Sequence, residues 1–80
     1  MRTETKTYAG TVCVGSRIRI VRMNDKVAPS RAFPEGIDYQ ARALNGKEGV
    51  IELIDDAGLL HGSWGGIAVD PKADFVEILG

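Results

Sequence analysis

Gly46-Lys47-Glu48-Gly49-Val50-Ile51-Glu52-Leu53-Ile54-Asp55-Asp56-Ala57-Gly58-Leu59-Leu60-His61-Gly62-Ser63-Trp64-Gly65-Gly66 is the stretch whose pattern decides the fold. Two short apolar runs flank Asp55-Asp56-Ala57-Gly58, and that arrangement predicts a β-hairpin. The four central residues suit a type I turn, with Gly58 where a positive φ is needed. With Ile54 facing Leu59, the register sets Leu53 opposite Leu60 and Ile51 opposite Gly62 on the inner face. Glu52 then faces His61, and Val50 faces Ser63, on the outer face. Trp64 shares the parity of Leu60 and Gly62, so it is expected to cap one end of the core, with Gly62 leaving room for the indole or for a neighbouring strand. Gly65-Gly66 reverses the chain once more.

Upstream of the hairpin, Arg17-Ile18-Arg19-Ile20 alternates strictly, isoleucines on one face and arginines on the other. The pattern slips by one at Val21, which predicts a β-bulge within a strand over residues 16–23. Residues 24–46 interrupt the strands. Pro29 and Pro34 forbid regular structure across Ala28 to Glu35. One or two helical turns are expected over 37–44, ended by Asn45-Gly46. Downstream, Ile67-Ala68-Val69 is a short strand, Asp70-Pro71-Lys72-Ala73 a single turn, and residues 75–79 a closing strand. At the other end, residues 1–7 are polar and expected to fray, while Tyr8–Val14 suits a short strand or extended arm. The sum is an all-β domain, a small five-stranded SH3-like barrel over 14–80 with an N-terminal arm (1–13) and a long first loop (24–45). Loops of that length in small domains are often functional.

At 80 residues the chain is one domain, of a size that buries only about 60–65% of the surface its unfolded form exposes. Cys13 is the only cysteine and His61 the only histidine, so neither an intrachain disulfide nor an ordinary single-chain zinc site is available. No cofactor is indicated. Self-association or a partner remains as the route to extra buried surface. A lone cysteine, no apolar run near 18 residues and no apolar segment behind the N-terminal charges point to a cytoplasmic protein away from membranes. The net charge is −1, from 10 basic and 11 acidic residues. A dedicated nucleic-acid binder ordinarily carries a basic excess.

Phe33 and Tyr39 in the long loop, with Trp64 at the end of the third strand, would line a peptide groove of the SH3 kind. The competing role for these rings is to cap the barrel end. Arg17, Arg19 and Arg22, extended by Arg31 and Arg42, would track phosphates as an alternative nucleic-acid face. Their competing role is salt-bridging to Glu77, Glu48 and Glu52. His61 with Glu52 across the strand pair could suggest a general base, but Ser63 is the only nearby nucleophile and sits badly for a triad. Asp55 and Asp56 are turn residues, as are the glycine pairs, which precede no helix. Phe75 and Leu79, facing away from the core, are either covered by the N-terminal arm or mark an interface.

The order Gly15-x-Arg17-Ile18…Arg22-Met23-Asn24-Asp25, then Gly46-x-Glu48-Gly49-x-Ile51, then Asp55-Asp56-Ala57-Gly58-x-x-His61-x-x-Trp64, then Ile67-Ala68-x-x-Pro71…Asp74, resembles a small family of unknown function. Its members occur in phages and in conjugative or integrated bacterial elements. The resemblance covers residues 14–80 and departs at 24–45, where relatives have a short Pro-Gly connection. It implies a barrel of the SH3 or translation-factor type and a mobile-element origin, and it supplies no activity. The plasmid-borne dihydrofolate reductases of similar length carry a Val-Gln-Ile-Tyr motif where this chain reads Gly-Ile-Ala-Val-Asp, so that activity is not supported. The expected function is a non-enzymatic binding module for protein or peptide. A nucleic-acid-binding barrel and a phage-encoded inhibitor of a host protein are the alternatives.

Overall fold

The computed structural model describes residues 2–80. Its elements are β1 (Glu4–Thr7), β2 (Gly10–Cys13), β3 (Arg17–Arg22), the single turn α1 (Tyr39–Arg42), β4 (Glu48–Ile54), β5 (Leu60–Gly62), β6 (Gly65–Val69) and β7 (Phe75–Ile78). The fold is all-β. β1 and β2 form a two-stranded sheet, and the other five strands form an antiparallel sheet in the order β6-β5-β4-β3-β7. Strict alternation in β3 buries Ile18 and Ile20 completely, while Arg17 and Arg19 remain on the wetter face.

The five-stranded sheet is open, with β6 and β7 as its edges, so the expected closure into a barrel does not occur. Edge strands of five and four residues supply few ladder positions with which to wrap round. Side chains seal the core instead. Val12 from β2, Ala41 from α1 and Leu44 just beyond it join Ile18, Ile20, Ile51, Ile54, Leu60 and Val69 in one buried cluster.

Two bulges shape the sheet. In β3 the register against β7 shifts between Ile20 and Arg22, where the sequence slips. Val21, the odd residue, turns outward at 52% exposure, and Met23 returns to the core. In β4 a shift between Ile51 and Leu53 leaves Glu52 as the extra residue. Ile51 opposes Gly62 as expected, but Leu53 faces His61 and Ile54 faces Leu60. This corrects the expected Ile54–Leu59 register and separates Glu52 from His61. The cause lies in the turn. Asp55 N–H donates to the Leu59 carbonyl at 3.1 Å and Gly58 N–H to the Asp55 carbonyl at 2.9 Å. The Asp55 carboxylate accepts from the amides of Ala57 and Leu59. The loop therefore closes on the Asp55–Leu59 pair, which moves the partners of Ile54 and Leu53 by one, and the bulge at Glu52 restores the expected register at Ile51. Gly58 holds the expected positive φ, 84°.

Residues 4–7 are paired rather than frayed, with Glu4 opposite Cys13 and Thr7 opposite Gly10. Threonines at alternate positions favour the extended backbone although β1 has no apolar side chain to announce it. The hairpin is tied to β4 by Arg2 N–H to the Ile54 carbonyl and Gly15 N–H to the Ile51 carbonyl.

The 24–45 excursion is internally bonded. Lys26 bridges Ile37, Val27 N–H donates to the Gly36 carbonyl at 3.0 Å, and Asp38 N–H to the Asp25 carbonyl at 2.7 Å. The Asp38 carboxylate caps α1 by accepting from the amides of Gln40 and Ala41. Asn45 Oδ1 accepts from Met23 N–H at 2.7 Å, which joins the two ends of the excursion.

Candidate functional site

The 24–45 excursion carries an apolar concavity of about 360 Å³ in which Phe33, Pro34, Ile37 and Tyr39 supply hydrophobic surface and Glu35 and Gln40 polar groups. Pro29 and Pro34 end regular structure on one side, and the Asp38 cap starts α1 on the other, so Tyr39 stands at the first helical position. Its hydroxyl donates to Glu35 Oε1 at 3.2 Å, and the Arg42 guanidinium lies 5.3 Å from its ring centroid. Arg42 is itself fixed by Asp25 Oδ2 at 2.5 Å. That hydrogen-bonded guanidinium holds the Asp25 carboxyl below its usual range, and the Asp25 carboxylate in turn holds Arg42 above its own. Tyr39 is thus held in one orientation while 51% exposed.

Trp64 does not join these two rings. It is 5% exposed and belongs to the core, with its indole N–H donating to the Ile67 carbonyl at 2.9 Å. The expected three-ring groove is corrected accordingly: Phe33 and Tyr39 share a concavity, and Trp64 packs over Gly62 and Gly49. Of the two roles weighed for Trp64, capping the core is the one its burial fits.

The arginine trio also divides. Arg19 reaches Glu48 at 3.2 Å and Glu77 at 3.3 Å, and Arg17 reaches Glu48 at 3.8 Å. β3 lies between β4 and β7, so Arg17 and Arg19 on its outward face meet carboxylates from the neighbouring strands. Arg22 stands past the bulge, opposite Phe75, and has no ion pair among the described residues. Arg17 and Arg19 therefore form a cross-strand charge ladder rather than a free phosphate-binding face.

His61 pairs with Asp55 rather than Glu52, its Nε2 2.9 Å from Asp55 Oδ2. The register shift brings them together, as it leaves Glu52 unopposed. Ser63 Oγ accepts from the Val50 amide at 2.9 Å and serves the backbone. The hydrogen bond from His61, then the amides of Leu59 and Ala57, hold the Asp55 carboxyl below its ordinary 3.8. A carboxyl whose folded value lies below its unfolded one stabilises the fold above the unfolded value and loses that contribution as pH falls through the folded one. Asp55→Asn is therefore expected to flatten the loss of stability between about pH 5 and pH 2. Urea midpoints of the two proteins across that interval check it, and parallel acid limbs would place the sensitivity elsewhere.

Among the described residues no group of three or more His, Cys, Asp or Glu side chains is placed to hold a metal ion, and no helix is long and apolar enough to cross a membrane. Two features went unpredicted. Tyr8 stacks on Phe75, centroids 4.8 Å apart, because the β1–β2 hairpin folds back against β7. The question of whether the arm covers Phe75 is thus answered in part, since Phe75 is still 47% exposed. Asp74, 5% exposed, accepts hydrogen bonds from Asn24 and Asp70; an aspartate beside a predicted turn gave no sign of that burial. Comparison with protein-family models, curated proteins and solved structures found no match.

Proposed function

We propose that this chain is a non-enzymatic binding module that engages a protein partner through the 24–45 excursion, with Phe33 and Tyr39 as its anchors. One observation carries the reading. The core is sealed by Ala41 and Leu44, at 4% and 7% exposure, without using Tyr39, which stays 51% exposed one residue from the α1 cap. An ordered aromatic that the core does not consume, set in an apolar concavity with Phe33, is the kind of group that anchors interfaces. The occupant that suits it is an extended peptide placing one apolar side chain between the rings and a donor or cation toward Glu35.

The open sheet is read as SH3-like, supported by its order and by the pairing of the first sheet strand, β3, with the last, β7. The cytoplasmic setting and the mobile-element relationship, including an inhibitor of a host protein, belong to the same proposal. A displayed random-peptide library tests it. The wild-type chain is expected to enrich a motif with an apolar residue beside a basic one. Tyr39→Ala, with its amide spectrum otherwise preserved, is expected to weaken the selected peptide about thirtyfold, the scale of an interface hot spot. Enrichment that survives in Tyr39→Ala and Phe33→Ala alike would remove the excursion as the contact surface.

A further inference from the structure

Tyr8 occupies the tip of the β1–β2 hairpin, where Thr7 Oγ1 donates to the Gly10 carbonyl and accepts from the Ala9 amide. Its hydroxyl donates to the Lys72 carbonyl at 2.9 Å, and its ring lies on Phe75 with an interplanar angle of 25°. The pair is held in place yet wet, Tyr8 at 67% and Phe75 at 47% exposure. Cationic clefts flank it. Phe75 lines one of about 310 Å³ with Arg22 and Lys26. Lys72, whose carbonyl anchors Tyr8, lines a second with Arg2 and Lys6. None of these five cations has an ion pair among the described residues. Each cleft holds one carboxylate. Asp25 in the first is claimed by Arg42, and Glu4 lies in the second.

We infer that this face binds single-stranded nucleic acid, with a base stacked on the Tyr8–Phe75 pair and the backbone phosphates running from Arg22 and Lys26 toward Lys72 and Lys6. Stacking rings set along a cationic track are the two components of sequence-tolerant single-strand binding. Salt-bridging consumes Arg17, Arg19 and Arg42, and five of the seven remaining cations line the clefts beside the aromatics. An overall charge of −1 is compatible with this because the carboxylates of Glu48, Glu77 and Asp55 are engaged elsewhere on the sheet. A duplex keeps its bases stacked inside and cannot offer one to the rings. The face shares no lining residue with the Phe33–Tyr39 concavity, so it stands or falls independently of the peptide reading.

Fluorescence anisotropy of the full chain with labelled strands of about 12 nucleotides tests this, a length within the usual site sizes of single-strand barrels. The probes are oligo-dT, oligo-rU, an abasic strand of equal length and a duplex. The single strands are expected to bind, and affinity for oligo-dT should fall about fiftyfold between about 50 and about 200 mM salt, as four phosphate contacts require. The abasic strand is expected about tenfold weaker, the loss of one stacked base. Phe75→Ala should weaken oligo-dT by a similar factor, and Arg22→Glu should reduce the salt slope. Tyr8→Ala, which removes a largely exposed ring, gives the same information should Phe75→Ala fail to fold. The relative affinities of oligo-dT and oligo-rU decide between DNA and RNA. Equal binding of the abasic strand or the duplex, no anisotropy change at the lower salt, or amide shifts at Phe33 and Tyr39 rather than at Tyr8, Arg22 and Phe75, would overturn the inference.

Discussion

Trp64→Ala is expected to cost about 3–5 kcal/mol, the range for removing a buried tryptophan from a packed core. The indole is 5% exposed, and its N–H is satisfied by the Ile67 carbonyl at 2.9 Å. Truncation therefore opens a cavity and orphans a carbonyl together. The ring lies across two glycines, and this gives a second, independent test. A Cβ added at Gly62 would overlap Trp64 Cζ3 and the Val50 carbonyl oxygen, and would stand 2.6 Å from Trp64 Cη2. At Gly49 it would stand 3.0 Å from Trp64 Cε3 and 2.8 Å from Ser63 Oγ. A rotamer change can move a side-chain tip, but the Val50 carbonyl belongs to β4 and moves only with the sheet. Gly62→Ala is thus expected at the upper end of overpacking costs, about 3 kcal/mol. A domain of this size commonly has about 5 kcal/mol in total, so Gly62→Ala is expected to leave about 3% of the population unfolded at room temperature, and Trp64→Ala, at the top of its range, about half. Urea denaturation followed by circular dichroism measures both. In the Trp64→Ala background, Gly62→Ala is expected to cost less than alone, because one of its two obstacles is gone. A Trp64→Ala midpoint within error of wild type would return the indole to the surface and restore it as a binding residue.

That Gly62 makes room for a neighbour was legible in the sequence, with the indole and an adjacent strand as the two candidates, and both Trp64 and the Val50 carbonyl take that space. So was the bulge at Val21, where alternation slips in the sequence and the ladder shifts in the structure. The second bulge was not. Val50 to Ile54 supports either register on hydrophobicity alone, and the choice falls to the Asp55 carboxylate, which gathers the Ala57 and Leu59 amides and closes the turn one residue wider. That is why His61 meets Asp55 and not Glu52. β1 was invisible for a different reason. Glu4-Thr5-Lys6-Thr7 buries little and is held by backbone pairing to β2, which apolar periodicity cannot report. The same blindness concealed the Tyr8–Phe75 stack. It depends on where a polar hairpin folds back, a long-range fact that no local pattern contains. Phe33 and Tyr39 were singled out by analogy with the long first loop of SH3 folds, and they do share a concavity. Trp64 was grouped with them by the same analogy, and the core claimed it.

Asp74→Ala is expected to cost about 2–4 kcal/mol, although no apolar contact is removed. Asp74 Oδ1 accepts from the Asn24 amide and Oδ2 from the Asp70 amide, each at 2.7 Å. Its own N–H donates to the Asp70 carbonyl at 2.8 Å. One carboxylate thus fastens the exit of β3 to the turn that launches β7. Sequence separation makes the link valuable, because Asn24 and Asp74 are the two places where the sheet's first and last strands leave their pairing. Hydrogen bonds to charged acceptors contribute about 1.5–3 kcal/mol apiece, and a donor left buried without a partner costs about 1–3. Alanine loses both bonds, whereas Asp74→Asn keeps one acceptor oxygen and turns an amide N–H₂ toward the other donor. Asparagine is therefore expected to lose at least half as much as alanine. Hydrogen exchange gives a readout that overall stability does not. The Asn24 and Asp70 amides are expected to lose protection more than the Ile18 and Ile20 amides at the centre of β3, because the defect opens locally before it opens globally. Equal loss at all four would mean that Asp74 acts on the whole fold and not on this junction. A change below about 0.5 kcal/mol, the scale of an ordinary surface substitution, would contradict the role altogether. The junction also bears on the strand-binding face, since Asn24 lines the cleft of Arg22, Lys26 and Phe75. If that face binds as inferred, an oligo-dT strand should raise the midpoint of wild type and restore less of it in Asp74→Ala, where the cleft wall is no longer held.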